Sequence, residues 1–269
     1  MKSKALMEHI RNGNRAYGTL IISTSPRWPI EVKKLGLDFV FLDGEHMPLD
    51  RNELSSLCRT YEAMNLATIV RTPSPDPYYA SMALDGGASG VLAPYIETAD
   101  QVRALRAAVK LRPLKGKRAE AIIRGEQPSE RMAAYLKEYN QHNLLLINIE
   151  STPAIEALDE ILAVPQLDAV IIGPHDLSVS LGIPEEYKHP LFEEAVQTIV
   201  AKARAAGVAV GIHYFFGLEQ EIHWLQSGMN ILIHASDMTA FSARMSEEIN
   251  EIKHALGDRT VASSDRIHI

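Results

Sequence analysis

The run "DFVFLDGEHMPLD", residues 38–50, is apolar almost throughout as far as Leu42 and then turns polar at once, with Asp43, Gly44, Glu45 and His46 in succession. Its first half shows no alternation of polar and apolar residues, the pattern of a parallel strand buried on both faces. Seven further runs share that character: "YGTLIIS" (17–23), "LATIVR" (66–71), "SGVLAPYI" (89–96), "NLLLINIE" (143–150), "DAVIIGP" (168–174), "VAVGIHYF" (208–215) and "NILIHASD" (230–237). Helical stretches separate them. "TADQVRALRAAVKLRP" opens at Thr98 as N-cap and stops at Pro113, "STPAIEALDEILAVP" carries Pro153 in its first turn, and "EEAVQTIVAKARAAG" finishes at Gly207. Eight strands alternating with helices predict an α/β chain folded as a single (β/α)8 TIM barrel over 1–269. A doubly wound open sheet would announce a glycine-rich phosphate turn after its first strand, and "IISTSPRWP" carries none.

The bulk numbers agree. The chain has 269 residues, 46% hydrophobic and 23% charged, enough for a full core. A net charge of −7 argues against a nucleic-acid surface, and Lys115, Lys117 and Arg118 read as a solvated loop. One cysteine, Cys58, excludes an internal disulfide and suits a reducing cytosol; its amphipathic context predicts a small buried side chain rather than a nucleophile. No apolar run is long enough for a signal sequence or a membrane span, so a cytoplasmic protein without a membrane partner is expected. The stretch 111–142 is longer than a simple connection, with one helical piece, "SERMAAYLKEYN", after an irregular segment. The polar tail, 255–269, is assigned no chemistry.

In such a barrel, chemistry gathers where strands end. Asp43 ends one strand with His46 just beyond, Arg71 ends another, Glu150 a third, and Pro174, His175 and Asp176 follow a fourth. Singly, each has an ordinary reading: Asp43 or Asp176 as a helix cap, Arg71 as a loop arginine, His46 as a surface histidine. Glu150 resists that reading, because the six residues before it are all strand-like and a carboxylate buried there needs a cation or several donors. Together the groups are expected to meet at one mouth. Glu150 and Asp176 offer hard oxygen ligands for Mg²⁺ or Mn²⁺, with Co²⁺ as a third candidate. Such a metal would polarise a carbonyl, Arg71 would stabilise an oxyanion, and His46 would move a proton near neutral pH. The groups suit aldol chemistry through an enolate. No lysine falls within the eight strand runs, which disfavours an imine route.

"LDFVFLDGEHMPLD", "TIVRTP", "ALDGGASGVLAPYIETADQVRALRAAVK", "INIES" and "VIIGPHDLSVSLG" resemble the HpcH/HpaI family of metal-dependent class II pyruvate aldolases from about residue 17 to about 255. The resemblance implies reversible cleavage of a 4-hydroxy-2-oxo acid to pyruvate and an aldehyde. It implies His46 as general base, Asp85 as the carboxylate that orients it, and Arg71 as stabiliser of the enolate. Glu150 and Asp176 would bind the metal. Asn148, Gly173 and Pro174 would line the substrate site, and backbone groups of His175 and Asp176 would hold the pyruvyl carboxylate. From its residues alone, Asp85 is a helix-end residue in a turn beside Gly86. A homo-oligomer, commonly a hexamer, is also implied, with the amphipathic helix "SARMSEEINEIKHAL" packed on a neighbour.

The chain departs from the family at Asn148, where glutamine is usual, at His175, where a small residue is usual, and at His213 and His234, where apolar or small residues are usual. Both of the last two are expected to be hydrogen-bonded interior histidines. After Arg118 the chain reads "RAEAIIRGEQ" instead of a glycine-bearing loop that borders the active site. The alternatives are a related lyase acting on another 2-oxo acid or a coenzyme A ester, and a barrel that binds a metal or sugar acid without catalysis.

Overall fold

The computed structural model describes residues 3–259. Eight parallel strands close in sequence order into a barrel: β1 (Ala16–Leu20), β2 (Phe39–Asp43), β3 (Ala67–Arg71), β4 (Gly90–Ala93), β5 (Leu144–Ile149), β6 (Ala169–Ile172), β7 (Ala209–Tyr214) and β8 (Ile231–Ser236), which pairs back to β1. Each coincides with one of the eight runs read from the sequence, β1 starting one residue earlier than its run. Closure leaves no free sheet edge, so every strand pairs on both sides.

The pleat sorts each strand's side chains into two layers. Phe39 and Phe41 of β2, Ile69 of β3, Leu146 of β5, Ile171 of β6 and Ile233 of β8 fill the interior. Val40, Leu42, Val70, Ile147 and Ile172 face the surrounding helices. Each such fully buried side chain contributes roughly 1.5–3 kcal/mol. The N-terminal helix Ser3–Arg11 inserts Leu6, Met7 and Ile10 into the inner cluster and plugs the end at which the strands begin.

Helix starts follow the expected chemistry. Thr98 caps the helix Ala99–Lys110 in a capping box with Gln101, and Asp50 does the same with Glu53 for the helix Arg51–Ala63. Asp50, rather than Asp43, therefore caps that helix, and Asp43 is free for other work. Cys58 is fully buried in it, and burial pushes its thiol up to about 11, which leaves it unreactive.

The segment 111–142 differs from expectation in two respects. Lys117 and Arg118 are exposed but belong to a helix, Gly116–Ile123, which buries Ala119 and packs Ile122 and Ile123 against Leu111 and Leu136. Lying between a helix end and the start of β5, it sits at the strand-beginning end of the barrel, away from its own mouth. No helix among the described residues is long and apolar enough to cross a membrane. The helix Asp237–Leu256 ends at Gly257, and the tail from 260 on lies outside the described residues.

Candidate active site

Asp43 and Arg71 are register partners at the last rung of β2 and β3, two residues beyond the inward-facing Phe41 and Ile69. The inner stack thus changes from apolar to charged where it reaches the mouth. Arg71 donates from Nε to Asp43 Oδ1 at 2.8 Å and from Nη2 to Oδ2 at 2.6 Å, and its Nε lies 3.1 Å from Glu45 Oε2. Its guanidinium carbon sits 5.6 Å from the centre of the Phe41 ring. Asp43 Oδ1 also accepts from the Glu45 N–H at 3.0 Å, which folds the chain back immediately after the strand. Gly44 is required in that turn, since a Cβ would stand 2.7 Å from the Arg71 carbonyl oxygen. Burial would raise the Asp43 carboxyl, but the hydrogen bonds and charge of Arg71 more than reverse it and hold it below the usual carboxylate range.

The end of β5 supplies a second carboxylate. Glu150 is only 6% exposed; its Oε1 accepts from the Tyr95 N–H at 2.6 Å and its Oε2 from Asn148 Nδ2 at 2.7 Å. Tyr95 turns its N–H toward Glu150 from the left-handed region, φ 55°, an uncommon conformation for a residue with a side chain. Its phenol hydrogen-bonds Glu45, which together with partial burial pushes it up to about 12. Gly173 leaves room for Glu150, because a Cβ there would lie 2.7 Å from Oε2. Burial raises the Glu150 carboxyl above its usual range; the Asn148 and Tyr95 hydrogen bonds oppose this, and the nearby charges of Asp176 and Glu45 add to it.

Asp176 lies in the first turn of the helix Pro174–Ser180, whose start has no side-chain cap. Beside it His175, largely exposed, has Nδ1 3.8 Å from Glu185 Oε1. Asp43, His46, Arg71, Asn148, His175 and Asp176 line one cavity of about 460 Å³ over a floor of Phe41, Leu92 and Ile171, with Gly173 and Pro174 in its wall. His46 is at its rim, half exposed, with Nε2 3.8 Å from Glu45 Oε2.

The donor set fits a hard divalent cation. Asn148 Oδ1 is buried and has no partner, beside a Glu150 carboxylate that crowds electrostatically with Asp176 and Glu45. Such an arrangement carries more carboxylate charge than the Arg71 guanidinium offsets and has oxygen to offer. Among the described residues no group of three or more His, Cys, Asp or Glu side chains is poised to hold a metal, so two carboxylates would leave most of the coordination shell to water and substrate.

The structure does not bring Asp85 to His46 within the chain. Asp85 ends the helix Pro77–Gly86, whose C-terminus lies by the start of β4 at the opposite end of the barrel, and its carboxylate pairs with Arg112. His234 is likewise not interior: the pleat points it outward, where Nδ1 meets Glu221 Oε1 at 2.8 Å. His213 does point inward, with Nε2 3.2 Å from the Ala235 carbonyl oxygen. Sequence reading assigned no role to Glu45 or Tyr95. Glu45 was visible in the polar run after β2, but its contact with Arg71 depends on the turn. Nothing in the sequence announces a left-handed tyrosine.

The model of the HpcH/HpaI aldolase/citrate lyase family matches residues 20–243. A 2-dehydro-3,6-dideoxy-6-sulfogluconate aldolase of Pseudomonas putida is 28% identical over 249 residues, covering 92% of this chain and 96% of its own. A 2-keto-3-deoxy-L-rhamnonate aldolase of Shigella boydii is 31% identical over 204 residues, 76% of each chain. A solved HpcH/HpaI aldolase/citrate lyase family protein of Burkholderia cenocepacia superposes with a TM-score of 0.80 at 25% identity, covering 93% of this chain and 99% of that one. The chain belongs to the HpcH/HpaI aldolase/citrate lyase family.

Proposed function

We propose that this protein is a divalent-metal-dependent aldolase that reversibly cleaves a 4-hydroxy-2-oxo acid, of the 2-keto-3-deoxy sugar acid type, to pyruvate and an aldehyde. The observation that carries the reading is Arg71, 13% exposed, fixed by Asp43 at a mouth it shares with Glu150 and Asp176. The activities named for the two aldolase relatives support the substrate class.

Cleavage of the C3–C4 bond needs the C4 hydroxyl proton removed and the bonding pair placed on the 2-oxo oxygen as an enolate. His46, at the rim beside Glu45, takes that proton through a water molecule. Asp43 occupies two of the five guanidinium N–H donors of Arg71, which leaves the others available to the developing enolate oxygen in the cavity that Arg71 lines. The pyruvyl carboxylate lies against the backbone of His175 and Asp176, with Asn148 lining the same subsite. Glu150 and Asp176 would hold the cation, Mg²⁺ or Mn²⁺, which supplies Lewis acidity toward the oxo group. A proton added at C3 completes pyruvate as the aldehyde leaves. The orienting carboxylate expected at Asp85 would have to be the Asp85 of a second copy, given its place in this chain.

A homo-oligomer accords with that requirement. Along the helix Asp237–Leu256, Met238, Phe241, Met245, Ile249, Ile252 and Leu256 lie exposed at spacings of three and four. The buried, unreactive Cys58 suits a reducing cytoplasm. The reading is tested by following pyruvate release from 2-keto-3-deoxy sugar acids with lactate dehydrogenase. Turnover should require Mg²⁺ or Mn²⁺ and collapse in His46→Ala and Arg71→Ala. Turnover undiminished in chelated enzyme, or in both variants, would overturn it.

A further inference from the structure

His213 takes no part in the cleavage described above, yet the fold places it in the same cavity. On β7 the inward positions are Ala209, Gly211 and His213, so the imidazole emerges above the apolar floor, with its ring centre 5.7 Å from that of Phe41. One ring nitrogen is committed. Nε2 lies 3.2 Å from the carbonyl oxygen of Ala235, and a carbonyl only accepts, so Nε2 carries the hydrogen. The backbone is specially shaped to present that carbonyl. Ala235 adopts φ 52°, in the left-handed region, where the register between β1 and β8 shifts. Burial and the charge of Arg71 push the imidazole down to about 4, so it is neutral in the working range. Nδ1 is then a bare acceptor, and no group among the described residues donates to it.

We infer that His213 is a specificity-determining residue whose Nδ1 accepts a hydrogen bond from a hydroxyl on the aldehyde half of the substrate. This inference rests on the aldolase reading. In a 4-hydroxy-2-oxo acid the carboxylate and the oxo group are acceptors, and the C4 hydroxyl gives its proton toward His46. The donor left for Nδ1 is the hydroxyl on C5, which becomes the 2-hydroxyl of the released aldehyde. The neighbouring wall offers the rings of Phe215 and Phe216 and the hydroxyls of Ser236 and Thr239, which are bonded to each other and to their own backbone in the cap of the last helix. A 2-deoxy aldehyde would leave Nδ1 desolvated and unpaired, which is the condition under which sites reject an analogue strongly.

The test compares kcat/KM for condensation of pyruvate with lactaldehyde and with propionaldehyde, which differ by that hydroxyl alone. The ratio is taken within each protein, so a general loss of activity cancels. The unaltered enzyme should favour lactaldehyde by about tenfold to a hundredfold, and His213→Leu should bring the ratio close to one. His213→Asn, whose amide oxygen can stand near the Nδ1 position, should restore part of the preference, and His213→Gln should not. A ratio unchanged in His213→Leu overturns the inference; if that variant does not fold, equal ratios in the Asn and Gln variants overturn it. The aldolase reading fails separately, if the unaltered enzyme makes no product with any aldehyde and exchanges no pyruvate methyl hydrogen with deuterated solvent.

Discussion

Asp43 and Arg71 face each other across neighbouring strands as register partners, and their side chains close a two-point ion pair with distances of 2.6 and 2.8 Å. The pair is rigid because the strands position both ends of it. A lysine at 71 keeps the charge but loses the planar fork. Arg71→Lys is therefore expected to lower kcat by about a hundredfold to a thousandfold with a smaller change in KM, read by coupled pyruvate release.

The same pair ties stability to pH. The Asp43 carboxyl is held below its unfolded value, so its stabilising contribution is complete above the unfolded pKa, about 3.9, and is lost as pH falls through the folded one. The unaltered protein should be more stable than Asp43→Asn at pH 7 and pH 5, with the gap narrowing below about pH 4. Urea midpoints across that range measure it, and a constant gap would contradict the assignment.

Glu150 has the opposite sign. Its carboxyl is raised in the folded chain, so ionisation there costs stability at every pH above the folded pKa. Glutamine removes the charge, keeps an oxygen for the Tyr95 N–H, and can donate its own N–H to Asn148 Oδ1 once the Asn148 amide turns over. Glu150→Gln should raise the melting temperature of chelated protein by about 2–4 °C while abolishing turnover. A lower melting temperature would show that the carboxylate is better satisfied than its surroundings suggest.

Tyr95 grips both sides of the site, its N–H on Glu150 and its phenol on Glu45. Tyr95→Phe keeps the first contact and removes the second. The expected result is a fall in kcat/KM of about threefold to tenfold, with Mn²⁺ affinity, measured by electron paramagnetic resonance, changing less than in Glu150→Gln. Equal losses of affinity in the two variants would mean that the phenol acts on Glu150 after all.

The apolar stripe on the last helix predicts assembly. Phe241 is 59% exposed within it, and an aspartate there should shift the protein toward smaller species in light scattering. Activity should fall with it if the Asp85 of a second copy serves His46. A fully active monomer would remove that role from Asp85.

The strands and their order were legible in the sequence, because a parallel strand buried on both faces must be apolar at consecutive positions, and the eight short runs alternate with helical stretches that carry their own starts and stops. The strand-end groups Asp43, Arg71, Glu150 and Asp176 were legible for the same reason, as polarity that interrupts a buried pattern has to be justified by a partner. The rest depended on three dimensions. Whether Glu45 reaches Arg71 is set by a turn that only Gly44 permits, and whether Tyr95 addresses Glu150 is set by one positive φ. His213 and His234 stand on adjacent strands in similar sequence surroundings, yet the pleat sends one into the cavity and the other to the outer face. Hydrophobic periodicity is a property of neighbours along the chain and can be read there; a site joins residues distant in sequence, and their contacts exist only once the barrel has closed.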